Sequence, residues 1–327
     1  GGGFDYVEYS YLQNGNGYDF VLGLVTMAVT VRGPNPAYSE TDTVISIGAY
    51  YGTAFADNIS SSTAGRGDIF VAGLGNDTVS GNAQDFDAVS YWDRSDSNFR
   101  INVDLGLLSN QVTITKANDG GYLEIDTLLN ITGLYGGAGD DTITGSTLDN
   151  YLRGGAGNDT IDGGAGTDTA SFNNAQQRIE VHMAEAGLSF QLEDGLGGID
   201  SLVNIEGIDA TNFDDYIVGN SSSNILRGRN GFDYIDGGAG SDRADYNGAP
   251  TAVYITLAET GITYANDGYG AVDQLVNIEG LYGTDFHDVL IGNSQDNVLR
   301  GRAGNDTLDG LGGSDTVVYL GTMTGIF

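Results

Sequence analysis

The chain has 327 residues, with 45 acidic against 12 basic side chains, a net charge of −33 and no cysteine. That balance excludes the basic footprint that nucleic acids and anionic membrane surfaces require. It excludes disulfide stapling too, and no apolar run approaches the roughly 18 residues of a membrane-spanning helix.

Residues 1–51 read as the end of a truncated roll followed by a connector. GGGFDYVEY at 1–9 places Asp5 and Val7 in the aspartate and apolar positions of a nine-residue unit, G-G-x-G-x-D-x-U-x, where U is a large apolar residue. VLGLVTMAVTV at 21–31 is the longest apolar stretch and reads as buried strands. No leader pattern is present, and the chain does not start with Met.

Residues 52–135 hold the first full block and its connector. The units are GTAFADNIS at 52–60, TAGRGDIFV at 63–71, AGLGNDTVS at 72–80 and, after Gly81, NAQDFDAVS at 82–90. Residues 136–209 hold the cleanest block, GGAGDDTIT, GSTLDNYLR, GGAGNDTID and GGAGTDTAS, with every step nine. Residues 210–282 begin with ATNFDDYIV, GNSSSNILR, GRNGFDYID and GGAGSDRAD. Residues 283–327 carry GTDFHDVLI, GNSQDNVLR, GRAGNDTLD and GLGGSDTVV, then the start of a connector that is expected to be cut short. Block starts at 52, 136, 210 and 283 set an outer period of 73–84 residues.

Connectors repeat as well. Each closes on a shared phrase: DTLLNITGLYG at 126–136, DSLVNIEGIDA at 200–210 and DQLVNIEGLYG at 273–283, with a weaker copy, DTVISIGAYYG, at 42–52. Alternating apolar sequence precedes them, as in Ile101 to Leu105 and Val253 to Leu257. Period-two alternation reads as strands, so each connector is expected to be a short hairpin or meander packed on the roll.

The nine-residue period is the signature of a calcium-built parallel β-roll. The fold class is therefore all-β, with parallel β-roll blocks joined by small antiparallel β-meander connectors. In each unit the glycine-rich six residues form a turn whose carbonyls converge, and x-U-x forms a short strand with U inward. Of the 45 acidic residues 36 are Asp and 9 are Glu. Solubility would be served by either, so the Asp excess points to turn geometry and hard-cation ligation. So much like charge repels itself unless counter-ions bind.

The expected metal-ligating aspartates are Asp57, Asp68, Asp77 and Asp87, then Asp141, Asp159 and Asp168, then Asp215, Asp233 and Asp242, then Asp288, Asp306 and Asp315. The glycines whose backbone shapes these turns are Gly137, Gly139, Gly155, Gly157, Gly164, Gly166, Gly238, Gly240 and Gly304. The second unit of blocks two to four has Asn150, Asn224 and Asn297 in the aspartate position. Units i and i+2 stack on one side, which pairs Asp141 with Asp159 and Asn150 with Asp168, and the second side is expected to hold its ion more weakly. Roughly two to four shared sites per block would bind about 8–16 ions, each needing six to eight oxygens. One buried Leu or Ile is worth about 1.5–3 kcal/mol and ordering one residue's backbone costs about 1–2 kcal/mol. Nine ordered residues per buried side chain do not balance without metal, so calcium binding and folding are expected to be one event.

These units resemble the repeats-in-toxin (RTX, haemolysin-type) calcium-binding repeat family of type I-secreted bacterial proteins. The resemblance implies Ca²⁺ as ligand, an unfolded calcium-poor chain inside a Gram-negative cell, and folding outside it.

Other chemistry finds little support. His182 and His287 lie 105 residues apart in different repeat positions, which argues against zinc or catalysis. H-E-x-x-H and G-x-S-x-G are absent, and Lys116 lacks the glycine of a phosphate loop. Arg153, Arg227 and Arg300, with Arg229 and Arg302, are expected to pair with neighbouring aspartates. Glu206 and Glu279 would either ligate further calcium or cap the roll. Tyr9, Tyr11, Tyr91, Phe172, Tyr246 and Tyr319 are expected to cover the roll's end. The function expected is that of a non-catalytic, extracellular structural or adhesive segment that assembles with copies of itself into a surface layer, filament or matrix. Alternatives are an accessory region of a larger secreted enzyme or toxin, and an adhesin module that binds carbohydrate or ice, with cell-surface polysaccharide as a possible partner.

Overall fold

A computed structural model describes residues 6–8, 19–22, 27–32, 39–44, 49–52, 57–61, 68–82, 86–92, 97–106, 111–116 and 123–319. The chain divides into two compact units, residues 1–168 with 197–202, and residues 169–196 with 203–327. Among the described residues every regular element is a strand. No helix there is long and apolar enough to cross a membrane.

In the first unit, Tyr6–Glu8, Ala49–Tyr51, Ile69–Val71, Ala88–Ser90, Gly133–Tyr135 and Tyr151–Arg153 form one parallel ladder. A second sheet carries Asp19–Leu22, Asn58–Ser61 and Thr78–Ser80, then Thr142–Thr144 and Thr160–Asp162, again parallel. The connector is spliced into this second sheet. Leu123–Leu129 runs parallel to Thr78–Ser80, Phe99–Asp104 runs parallel to Thr142–Thr144, and Gln111–Lys116 lies antiparallel between them. The expected meander is thus part of the roll wall.

The second unit repeats the scheme. Thr169–Ser171, Gly207–Asp209, Ile225–Arg227, Arg243–Asp245, Gly280–Tyr282, Val298–Arg300 and Thr316–Val317 form one parallel ladder. Glu180–His182, Tyr216–Val218, Tyr234–Asp236 and Val272–Val276 form another, with Thr263–Asn266 antiparallel at its end. Tyr254–Thr256, Val289–Ile291 and Thr307–Asp309 make a third.

Each three-residue strand turns only its middle side chain inward, because successive side chains alternate faces. Ile143, Leu152, Ile161 and Ala170 are buried, as are Ile59, Phe70, Val79 and Val89, Ile217, Leu226, Ile235 and Ala244, and Leu290 and Leu299. Leu308 is half-buried and Val317 exposed.

The shared connector phrase proves to be an abbreviated coil. Leu128 stacks in register on Val79, and Leu134 between Val89 and Leu152. Leu275 stacks on Ile235, and Leu281 between Ala244 and Leu299. The turn between the two apolar residues is shorter than a nonapeptide turn. Asn130, Asn204 and Asn277 close it at φ of 54°, 53° and 51°, a left-handed conformation that Asn tolerates better than most residues. The apolar ladder therefore continues through these two connectors.

Candidate metal centre

All thirteen expected aspartates sit at the same corner of their coils and form a ladder through the backbone. In the eleven that follow Asp57 and Asp68, Oδ1 accepts an N–H from the preceding coil on that side. Asp159 accepts from Asp141 at 2.8 Å and Asp168 from Asn150 at 2.7 Å. Asp233 accepts from Asp215 and Asp242 from Asn224, at 2.8 and 2.7 Å. Asp306 and Asp315 accept from Asp288 and Asn297 at 3.0 and 2.9 Å. Asp77 and Asp87 accept from Asp57 and Asp68 at 2.7 and 2.9 Å. The first aspartate of each later block takes its N–H from a connector strand: Asp141 from Ile101, Asp215 from Ile179 and Asp288 from Val253, each at 2.8 Å. All but two of the thirteen are buried; Asp306 is half-buried and Asp315 exposed.

The second carboxylate oxygen separates two kinds of loop. In the first two loops of blocks two to four, the side chain folds back on its own turn and accepts the N–H four residues earlier. Asp141 takes Gly137, Asn150 takes Ser146, Asp215 takes Thr211, Asn224 takes Asn220, Asp288 takes Thr284 and Asn297 takes Asn293, at 2.6–2.9 Å. In the third and fourth loops the residue at that place adopts positive φ, which turns its N–H away. These residues are Gly155, Gly164, Arg229, Gly238, Arg302 and Leu311, with φ between 63° and 113°. Gly73 does the same below Asp77, at 90°. Oδ2 of Asp77, Asp233 and Asp242 is then buried with no hydrogen-bond partner among the described residues. Buried polar atoms are rarely left so, and a bare carboxylate oxygen aimed into a turn fits a hard cation.

The turn glycines pack loop on loop. Gly137, Gly139, Gly155, Gly157, Gly164, Gly166, Gly238, Gly240 and Gly304 all lie in these turns. At Gly155, φ is 113°, and a Cβ would fall on the Gly137 carbonyl oxygen of the coil before it. Gly155→Ala thus combines a disfavoured backbone with a clash. It is expected to destabilise the calcium-loaded roll by about 3 kcal/mol or more, read as a raised calcium midpoint for the appearance of sheet by circular dichroism. An unchanged midpoint would contradict the loop packing.

Burial raises the pKa of these carboxyls strongly. Asp77 is pushed to about 9 by desolvation first and by Asp126 next. Asp233 is pushed to about 8 by desolvation and then Asp273. Asp141 and Asp242 rise to about 7 and Asp215 to about 6, desolvation leading in each. Clustered buried carboxylates of this kind call for a multivalent cation.

The arginines serve other places. Arg229 forks onto buried Asp209 at 2.6 and 2.7 Å, and Arg227 bridges Asp245 at 2.9 Å and Asp209 at 3.7 Å. Arg302 reaches Asp245 at 4.0 Å. These match the expected ion pairs. The guanidinium groups of Arg153 and Arg300 lie over the rings of Tyr135 and Tyr282. A flat guanidinium and a ring on adjacent coils of one outer face stack well.

A family model for the RTX calcium-binding nonapeptide repeat matches four copies, at residues 62–85, 135–170, 209–244 and 282–317. The chain carries RTX repeats. They bind calcium at multiple sites, and oxygen-only loops with buried carboxylates fit that ion. No curated protein matches the chain.

In this RTX array the open loops leave one oxygen each of Asp77, Asp233 and Asp242 buried without a hydrogen-bond partner among the described residues, and such oxygens would suit a calcium ion. The closed loops present amide or carboxylate oxygens already engaged. Glu279 takes the aspartate place of an abbreviated coil and accepts the Asp242 N–H at 3.0 Å through Oε2, which is the capping role. His287 fills the adjacent loop position and accepts the Asn305 N–H through Nδ1 at 2.6 Å. His182 tilts on Tyr216 at 5.6 Å.

Sequence reasoning passed over the aspartates of the connectors. Asp126, Asp200 and Asp273 continue the ladder, accepting the N–H of Asp77, Asp159 and Asp233 at 2.8, 3.0 and 3.2 Å. The signal was present: each lies two residues before a core leucine, the D-x-U spacing of the repeat. The aromatic residues need correction. Tyr91, Phe172 and Tyr246 are buried core residues, not a cover, and Tyr319 is exposed. Tyr91 and Tyr246 donate to Asp126 and Asp273 at 3.0 and 3.2 Å. Tyr9 and Tyr11 lie outside the described residues.

Proposed function

We propose that this chain is a non-catalytic, secreted structural segment that folds on calcium outside the cell and assembles with copies of itself. The observation that carries this reading is the ladder of carboxylates and core side chains within each unit, which takes in connector residues as well as nonapeptides. Its hydrogen bonds tie coil to coil, as expected where stiffness is the product. Cohesion has a candidate surface. Phe86, Phe213, Phe232 and Phe286 stand exposed at loop tips, and Phe213 and Phe286 occupy matching places in successive blocks. Apolar points on an acidic surface attract once calcium neutralises the charge around them.

Electron microscopy and sedimentation in millimolar calcium test this. Polymers or sheets are expected, and Phe213→Ser with Phe286→Ser should reduce them while leaving the circular dichroism unchanged. A monodisperse monomer at high protein concentration in calcium would count against assembly.

A further inference from the structure

The nonapeptide sites do not account for a second set of buried carboxylates at the seams where connectors rejoin the roll. In the first unit, Asp77 of a repeat loop meets Glu124 and Asp126 of the connector strand Leu123–Leu129. One carboxylate oxygen of each lies within 4.8 Å of the others, and all three residues are buried. Asp77 Oδ1 accepts the Asp57 N–H, while its Oδ2, on a residue only 1 % exposed, has no hydrogen-bond partner among the described residues. Asp126 is held from both sides, by the Asp77 N–H at 2.8 Å and the Tyr91 hydroxyl at 3.0 Å.

The second unit brings buried carboxylates to its seam as well, but without the same convergence. Asp273 accepts the Asp233 N–H and the Tyr246 hydroxyl, each at 3.2 Å. Asp267 heads a D-G-Y-G turn whose backbone N–H groups at Tyr269, Gly270 and Ala271 all point to its Oδ1, at 2.8, 2.8 and 2.9 Å. The two seams share a roll aspartate and a connector aspartate clamped by a tyrosine; among the described residues three carboxylates converge only at the first.

We propose that the connector completes a calcium site at the first seam, with Asp77 of the last nonapeptide loop on that side and Glu124 and Asp126 of the connector holding one ion. Three carboxylates at one hard-cation site give it more negative charge than two facing nonapeptide loops, which supply one acidic side chain each. Tyr91 acts behind the ligands, orienting Asp126. The ion at this seam fastens the connector strand to the parallel coils, so the solenoid continues across the interruption. This rests on calcium being the chain's ion but adds a site that the repeat does not specify.

Native mass spectrometry of the full chain in calcium counts the ions. Glu124→Gln should lose one, with sheet still forming on calcium. Asp168→Asn, confined to a nonapeptide, reports separately on the repeat sites. An unchanged count in Glu124→Gln, with loss in Asp168→Asn, would overturn the proposal while leaving repeat binding intact. Should Glu124→Gln not refold, anomalous scattering from terbium-grown crystals of the unaltered chain reads the same position. A peak among Asp77, Glu124 and Asp126 is expected, and its absence would overturn the proposal.

Discussion

Excess chelator at neutral pH should abolish the sheet signal of this chain, and restoring millimolar calcium should bring it back. The reason lies in the geometry of the coil. Each nonapeptide buries one aliphatic side chain, such as Ile143 or Leu226, worth about 1.5–3 kcal/mol, against about 1–2 kcal/mol for each residue ordered. The same coil stacks aspartates that are almost fully buried on both sides, within a chain of net charge −33. Removing the cations leaves these carboxylates facing one another in a medium of low polarity, where repulsion is strongest. Metal binding free energy is then folding free energy. The transition should be steep in calcium, because an ion shared by two coils orders both. Far-ultraviolet circular dichroism across a calcium titration checks this. A chain that stays sheet-like in chelator would refute the account.

Acid should partly replace calcium. Without metal, Asp77 titrates near 9, Asp233 near 8, Asp141, Asp242 and Asp273 near 7 and Asp215 near 6, against 3.8 for an ordinary aspartate. The folded chain therefore binds more protons than the unfolded one throughout this range. Stability of the metal-free fold is greatest near and below 3.8 and falls as pH climbs through 6 to 9. Each such group contributes a slope of up to about 1.4 kcal/mol per pH unit within its window. In chelator, sheet should be regained on acidification and lost toward neutrality. Calcium affinity should run the opposite way, weakening as protons compete for the same oxygens. Circular dichroism with chelator, scanned over pH, decides the first part; calorimetric calcium titrations at two pH values decide the second. A metal-free fold that gains stability as pH rises would contradict the buried-carboxylate ladder.

Much of the roll was legible in the sequence because period and chemistry coincide. A spacing of nine, with Asp two places before an apolar residue, dictates both the inward core and the stacking of loops i and i+2. The closing of the first loops was not legible. GGAGDD at 136–141 satisfies the full consensus, yet Asp141 bonds to Gly137, because what lies beneath it is a connector strand donating from Ile101 rather than a repeat loop. Conversely, Arg229, Arg302 and Leu311 sit at positive φ where glycine would be expected. The stacking of coils imposes that conformation against local preference. The connector phrase hid its role because its shortened turn breaks the count of nine, although Asp126 and Leu128 keep the repeat's internal spacing.

The splicing of each meander into the roll wall has an evolutionary and practical consequence. A detour that leaves the solenoid at one rung and returns at the next changes nothing in the rungs above and below, so its outer bend is free to vary. The bend at 258–262 is largely solvent-facing, with Glu259, Thr260, Gly261 and Ile262 exposed. Such bends are natural grafting points, where a foreign peptide could be displayed from the coil wall without disturbing its threading.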